Sequence, residues 1–345
     1  MEKIIKYDKN PILSKGKQKW ENLCVLNPAV VYDEESNEFK MLYRAAGNDR
    51  EHYIYLGLAT SKDGYNFKRF SKHPVLSPTP NGFDAGCCED PRLVKMGSYY
   101  YLCYASRTFP PGQYWRDDKG YFGFKPEEGP AFVVNNTSFT NLAVSKDLIN
   151  WKKLGRITDS RLDDRDAFIF PEKVNGKYVL LTRPMEMIGK EFGTDTPAMW
   201  ISFSDDLMEW NNRKLLLKGS EWWEDKKVGG STPPIKTKYG WFTLYHGVST
   251  KDDNYRVGAL ILDLNDPSKI IAKTKDFLME PEFPYETEGF YAGCVFPTGT
   301  VVKDGILYIY YGCGDQYIGV ATCNFDNLLE DLMKEALVWR KSLLL

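Results

Sequence analysis

The sequence predicts an all-β fold, a five-bladed β-propeller with a C-terminal helix. Three observations carry that expectation. A proline opens a short apolar run five times, at Pro28, Pro91, Pro171, Pro234 and Pro297; the intervals are 63, 80, 63 and 63 residues; and each run is followed by a turn and a second, aromatic-rich run. An internal period of this kind marks one supersecondary unit used repeatedly, because a single small sheet cannot bury its own faces and must stack on copies of itself.

In chain order, Lys3 to Tyr7 is expected to supply the outer strand that closes the last blade. The five second runs are Phe39 to Arg44, Tyr99 to Tyr104, Tyr178 to Arg183, Trp241 to His246 and Leu307 to Tyr311. Asn175-Gly176 and Asp304-Gly305 are turn dipeptides of the kind that joins two strands into a hairpin. A third run ends in a loop of the form Ser-x-Asp-x-x-x-aromatic at Ser61 to Phe67, Ser145 to Trp151 and Ser204 to Trp210. Three or four strands per unit, used five times, is a propeller pattern. The interval exceeds that of a typical blade, so long loops should decorate one face. The long second interval comes from an insertion at 108–136, rich in aromatic and turn residues (Pro110 to Trp115, Tyr121 to Phe124). Aromatic loops of this kind contact sugar rings or a neighbouring subunit, or pack as a lid. The stretch 326–343 has helical apolar spacing (Leu328, Leu329, Leu332, Ala336, Leu337, Trp339) and either docks under the propeller or mediates a homo-oligomer. Residues 1–345 are thus read as one catalytic domain.

Composition excludes several classes of function. The chain has 345 residues, 43% hydrophobic, and a formal net charge of -2, which offers no field for nucleic acid or an anionic membrane. The opening Met1 to Lys6 lacks the apolar stretch of a signal peptide, and the seven cysteines, an odd number scattered through strand-like runs, suit a reducing compartment; a cytoplasmic protein is expected. The three histidines, His52, His73 and His246, have no ligand spacing, and Cys87-Cys88 is a vicinal pair, so no metal is expected. Without nucleotide-binding or nucleophile-elbow motifs no cofactor is expected either, and carboxylate chemistry is the natural candidate.

The repeat shows where function departs from packing. The residue before the blade proline is Phe170, Pro233 and Phe296 in units three to five, but Asn27 and Asp90 in units one and two. Asp90 lies in Glu89-Asp90-Pro91-Arg92, where two acids and a guanidinium crowd together. One reading is a salt-bridged turn; the other is a carboxylic acid at the mouth of the central channel, its pKa set by its neighbours for general acid work. Arg183 and His246 each stand twelve residues after their proline, while Arg165 and Lys227 lie just before blades three and four. Such groups converging from neighbouring blades would hold a compact, doubly charged anion, arginine supplying forked donors and lysine a point charge.

Taken together, Asn27-Pro28-Ala29, Tyr43-Arg44-Ala45, Glu89-Asp90-Pro91-Arg92, Arg165 with Phe170-Pro171-Glu172-Lys173, Arg183-Pro184, Pro233-Pro234-Ile235, Tyr245-His246-Gly247 and Tyr310-Tyr311-Gly312 through Asp315 make a chain that resembles glycoside hydrolase family 130 from about Asn10 to Cys323. The resemblance implies a five-bladed propeller and an inverting β-mannoside phosphorylase, in which inorganic phosphate, a co-substrate, releases α-mannose 1-phosphate from a β-mannoside oligosaccharide. It places the catalytic aspartate on Asp90, which passes its proton through a hydroxyl of the mannose ring, and the phosphate ligands on Arg165, Arg183, Lys227, His246 and Tyr255. Relatives often carry Asn after the first phosphate arginine; this chain has Asp166, a carboxylate beside the anion pocket. Asn27, Arg44 and Asp315 are candidates for hydrogen bonds to the sugar, with Glu89, Arg92 and Asp166 further substrate-side candidates.

The chemistry suits those residues on its own terms. Inverting cleavage needs an acid on the leaving oxygen and a nucleophile on the opposite face, normally water activated by a second carboxylate. Phosphate is already anionic, so one acid and a cationic cradle suffice. A β-mannosidase that uses water, and a glycan-binding propeller without activity, are the alternatives. The first should lose the cations; the second has no need of them.

Overall fold

In the computed structural model, which describes residues 1–113, 115 and 126–342, the chain is mostly β. A short first strand, β1 (Ile5–Lys6), belongs with the last strands of the chain. The first meander is β2 (Cys24–Asp33), β3 (Glu38–Ala46), β4 (Ile54–Ser61) and β5 (Lys68–Arg69), paired antiparallel in order. The second is β6 (Glu89–Met96), β7 (Tyr99–Ser106), β8 (Phe139–Ser145) and β9 (Lys152–Arg156), with the short helix α1 (Ala131–Val134) between β7 and β8. The third is β10 (Asp164–Ile169), β11 (Tyr178–Pro184), β12 (Met199–Ser204) and β13 (Asn211–Leu217), joined to the second by a single parallel pair, Asp164 with Phe139.

In the fourth meander β14 (Lys227–Gly230) and β15 (Ile235–Thr237) both pair with β16 (Gly240–Val248), which continues to β17 (Tyr255–Leu262) and β18 (Ile270–Lys273). Pro233 and Pro234 lie between β14 and β15, where their missing N–H groups interrupt the ladder. After the helical turn α2 (Pro284–Thr287), the last meander is β19 (Val295–Lys303), β20 (Ile306–Cys313) and β21 (Tyr317–Asn324), on whose free edge β1 lies, Ile5 facing Thr322.

Middle strands such as β16 are buried on both sides along their whole length. This is what stacked sheets require, and the apolar clusters show which sheets stack. Leu42 and Leu56 of the first meander meet Leu93 and Tyr104 of the second. Val94 and Leu142 of the second meet Ile169 and Leu180 of the third. Phe168 and Leu181 of the third meet Trp241 and Leu260 of the fourth, whose Phe242 and Val257 meet Leu307 and Ile309 of the last. Tyr310 and Val320 of the last meet Val25 and Met41 of the first. The helix α3 (Phe325–Ser342) lays Phe325, Leu328, Leu329, Leu332 and Ala336 into the cluster of the fourth and last meanders, and Leu337 is exposed.

Two devices repeat around the molecule. The Ser-x-Asp loops close the third-to-fourth strand turns of the first three meanders. In each, the serine Oγ accepts from the residue three on (Gly64, Leu148, Leu207) and one aspartate oxygen accepts two further backbone N–H groups. The second device is a clamp. A second-strand tyrosine donates to a buried carboxylate in the segment entering the sheet, and that carboxylate pairs with a cation on the outer strand. The sets are Tyr43–Glu21–Arg69, Tyr104–Asp84–Lys153, Tyr245–Glu224–Lys273 and Tyr311–Glu286–Lys6. In the third meander the position of Tyr43 is held by Thr182, whose buried hydroxyl has no hydrogen-bond partner among the described residues.

The proline period misaligns that third unit. Arg44 faces Leu26, and Arg183 faces Arg165, with a β-bulge directly after each pair. Register therefore makes Asp166, rather than Phe170, the counterpart of Asn27 and Asp90. Pro171 follows the end of β10, beyond the ladder that a proline would break.

Candidate active site

Asn27, Asp90 and Asp166 are the bulged residues of three first strands, at φ of 46°, 50° and 59°. Asparagine and aspartate tolerate this left-handed conformation better than other side-chain-bearing residues, and a bulge re-aims the side chain it carries. All three point to one place. They line a cavity of about 350 Å³ to which every meander contributes: Arg44 from the first, Glu89 and Arg107 from the second, Arg165 and Arg183 from the third, Lys227, His246 and Tyr255 from the fourth, Phe296 and Asp315 from the last.

On one part of the wall Asp90 Oδ1 accepts from Asn27 Nδ2 at 2.7 Å and from Arg44 Nη1 at 2.9 Å. Arg44 also pairs with Glu89 at 3.1 Å. Burial pushes the Asp90 carboxyl up, but Arg44, Arg92 and the Asn27 amide outweigh it, and the net shift is below the ordinary carboxylate value. Asp315, in the turn between β20 and β21, goes the other way. Burial raises it to about 6, against the pull of Arg44 and with a push from Asp90 and Glu89.

On the other part, Arg183 donates from Nε (2.9 Å) and Nη2 (2.5 Å) to Asp166 Oδ2. Arg165 forks onto Asp163 with contacts of 3.0 and 2.9 Å. Lys227 donates to the Tyr255 hydroxyl at 2.6 Å, with no carboxylate within ion-pair distance among the described residues. Burial, with Arg183 and Arg165 nearby, brings the Lys227 ammonium down to about 8. Burial takes His246 down to about 3, so the ring is neutral, a donor rather than a fourth cation. Its Nδ1 lies 3.2 Å from Ser231 Oγ, while Nε2, buried and without a hydrogen bond among the described residues, lies 3.6 Å from Asp166 Oδ2. Gly229, opposite His246 in the ladder, permits this closeness; a Cβ there would come 2.5 Å from the ring and 2.9 Å from Asp166 Oδ2.

The family model described as beta-1,4-mannooligosaccharide phosphorylase matches residues 6–120 and 131–335. The chain belongs to glycoside hydrolase family 130. It is 40% identical over 322 residues to the 1,2-beta-oligomannan phosphorylase of Thermoanaerobacter sp. (strain X514), which covers 91% of this chain and 94% of that protein. It is 28% identical over 334 residues to the beta-1,4-mannooligosaccharide phosphorylase of Ruminococcus albus, covering 95% and 90%. Among solved structures, the beta-1,2-mannobiose phosphorylase of Listeria innocua in complex with beta-1,2-mannobiose superposes with a TM-score of 0.76 at 25% identity, covering 95% of this chain and 99% of that one.

Of the residues singled out in this family 130 sequence, Asn27, Arg44, Glu89, Asp90, Arg165, Asp166, Arg183, Lys227, His246, Tyr255 and Asp315 line the cavity; Arg92 does not. Only 2% exposed, Arg92 lies behind the wall, donating to the carbonyls of Asp90 and Ser231, contacting Asp166 Oδ1 at 3.3 Å and packing over Phe296. From there it braces two bulges. Sequence reasoning missed Arg107, Met185, Tyr291 and Phe296, which also line the cavity. Arg107 follows directly on a second strand, much as Arg44 and Arg183 stand at second-strand ends, and that position was the available signal. From the insertion, Pro111 lines the cavity and Trp115 packs on His52 and Phe290, while its Tyr114, Tyr121, Phe122 and Phe124 lie outside the described residues.

Proposed function

We propose that this chain is a five-bladed propeller, one catalytic domain, that cleaves β-mannosides with inorganic phosphate and inversion, releasing α-mannose 1-phosphate. The fold reading is supported by the pairwise stacking of first on second, second on third, third on fourth, fourth on last and last on first meander. The reaction is supported by one observation above others: the Asp90 bulge, which carries an acid, opens into the same cavity as Arg165, Arg183, Lys227 and the His246 ring. The phosphorylase names of the relatives agree with it. Proteins named for β-1,2-mannosides match at 40, 36 and 32% identity, against 28% for one named for β-1,4-mannooligosaccharides, which favours a β-1,2 linkage in the substrate. Seven free, buried cysteines suit a reducing, cytoplasmic setting.

Its protein neighbours hold Asp90 as a carboxylate, and an acid needs a proton. The groups that hold its pKa down include Arg44 and Asn27. A mannose ring that takes Arg44 and Asn27 as its own donors removes their hydrogen bonds to the carboxylate, and the desolvation it adds favours the protonated form. The proton goes to the leaving oxygen, through a ring hydroxyl in the reading from family resemblance. An oxygen of phosphate, held by Arg165, Arg183, Lys227, His246 and Tyr255, forms the new bond to the anomeric carbon as the glycosidic bond breaks. The phosphate proton leaves with the product or returns to the acid, so charge balances over the cycle. Incubating β-1,2- and β-1,4-mannobiose with phosphate and following phosphorus and anomeric proton resonances tests this. The α anomer of mannose 1-phosphate, formed from the β-1,2 disaccharide in preference, is expected; the β anomer, or free mannose alone, would overturn it.

A further inference from the structure

We propose that Asp166 makes the anion site selective for a protonated oxyanion: its carboxylate accepts a hydrogen bond from the P–OH of hydrogenphosphate, so the site takes phosphate and rejects sulfate. The inference rests on reading Arg165, Arg183, Lys227 and His246 as the phosphate site.

Three observations carry it. Asp166 is part of the cavity wall yet almost fully buried, and its bulge and the missing Cβ of Gly229 fix where its side chain sits. Second, it is ionised. Burial opposes this, but the guanidinium groups of Arg183 and Arg92 more than offset it and hold the carboxyl far below its ordinary value. An ionised carboxylate has acceptors only, so an oxygen that faces it must bring a hydrogen. Among the described residues Oδ1 receives one contact, Arg92 Nη2 at 3.3 Å, so the carboxylate as a whole keeps acceptor capacity. Third, the buried Nε2 of His246 beside it makes no hydrogen bond among the described residues. The carboxylate favours the ring proton on that nitrogen, leaving Nδ1 to accept from the Ser231 hydroxyl at 3.2 Å.

The site therefore has two kinds of edge: donors for bare oxygens and one acceptor for a protonated one. Hydrogenphosphate and hydrogenarsenate have both kinds of oxygen near neutral pH. Sulfate has only bare oxygens, and one of them would face a buried carboxylate with no hydrogen between. An asparagine at this position could turn its amide either way and would lose the discrimination.

Calorimetric titration of the sugar-free protein with phosphate, arsenate and sulfate tests the proposal, alongside the same titrations of Asp166→Asn. For the wild type, arsenate should bind within a few-fold of phosphate and sulfate at least ~10²-fold more weakly, given that sites built around a substrate hydroxyl discriminate by up to ~10⁴ or more. In Asp166→Asn the sulfate-to-phosphate ratio should fall toward unity. Sulfate binding to the wild type within a few-fold of phosphate would overturn the proposal, as would an unchanged ratio in a folded variant. If the variant does not fold, the wild-type ratio alone decides. If the wild type binds neither phosphate nor sulfate, the phosphate-site reading itself fails, a result distinct from lost selectivity.

Discussion

Four meanders hold a buried carboxylate between a tyrosine and a cation, and the cavity also sets carboxylates against cations, but the two settings are balanced differently. In the clamps Glu21, Asp84, Glu224 and Glu286 each have their own cation and a tyrosine donor. In the cavity the ledger does not close locally. Among the described residues no carboxylate lies within ion-pair distance of Lys227, and burial raises Asp315 to about 6. Buried charges without their own partners are unfavourable in an empty protein, and they persist where a ligand completes them. The third meander, which supplies Arg165, Asp166 and Arg183, is also the one whose tyrosine position is a threonine.

Breaking each side of this contrast should give different readouts. Asp90→Asn should lower turnover by roughly 10²–10⁴-fold, the usual effect of losing a general acid, with the thermal transition retained; near-normal turnover in the folded variant would remove Asp90 from the mechanism. Glu286→Ala removes one of the two carboxylates on Lys6, Glu282 staying at 2.8 Å, and takes the acceptor from the buried Tyr311 hydroxyl; it should destabilise the fold by about 1–3 kcal/mol, the range for a buried donor left unsatisfied. Chemical denaturation measures it, and the phosphate KM of the remaining folded enzyme should be unchanged. A large change in that KM would show that clamp and cavity are not separable.

Lys227→Ala should raise the phosphate KM ~10- to 100-fold, since a charged hydrogen bond is worth about 1.5–3 kcal/mol. The wild type adds a pH signature. Because burial brings Lys227 down to about 8, its charge is complete below that pH and lost above it, so the phosphate KM should rise above pH 8 in the wild type and show no such limb in the variant. Asp315→Asn should have the smallest and opposite effect on stability. The folded protein binds the Asp315 proton more tightly than the unfolded chain, so that stabilisation is fully present below the ordinary carboxylate value and lost as pH rises through about 6. The variant should therefore melt higher than the wild type at pH 7.5 and nearly level with it at pH 4, while losing activity. An unchanged melting temperature at pH 7.5 would mean that Asp315 is relieved by some other group.

Much of the molecule was legible because the repeat exposes its own exceptions. Asp90 stood out as a polar residue where packing asks for an apolar one, and the Ser-x-Asp loops could be read from spacing alone, because they close on hydrogen bonds within a few residues. Asp166 did not stand out by that route. The proline marking its unit follows the strand instead of lying within it, and only the pairing of Arg165 with Arg183 shows that the bulge falls one residue on. Arg92 was legible as a charge but not as a brace, since its partners Asp166 and Ser231 are 74 and 139 residues away. The clamps escaped for the same reason: Tyr311 and Lys6, from opposite ends of the chain, meet on Glu286.

The central claim is that Arg165, Arg183 and Lys227 are kept for phosphate. Its most direct test is the initial rate of β-1,2-mannobiose cleavage as phosphate is taken from saturating concentration to none, with the protein freed of bound anion beforehand. The rate should fall to zero with phosphate, and every bond cleaved should appear as α-mannose 1-phosphate. Release of free mannose at an undiminished rate in phosphate-free buffer would contradict it.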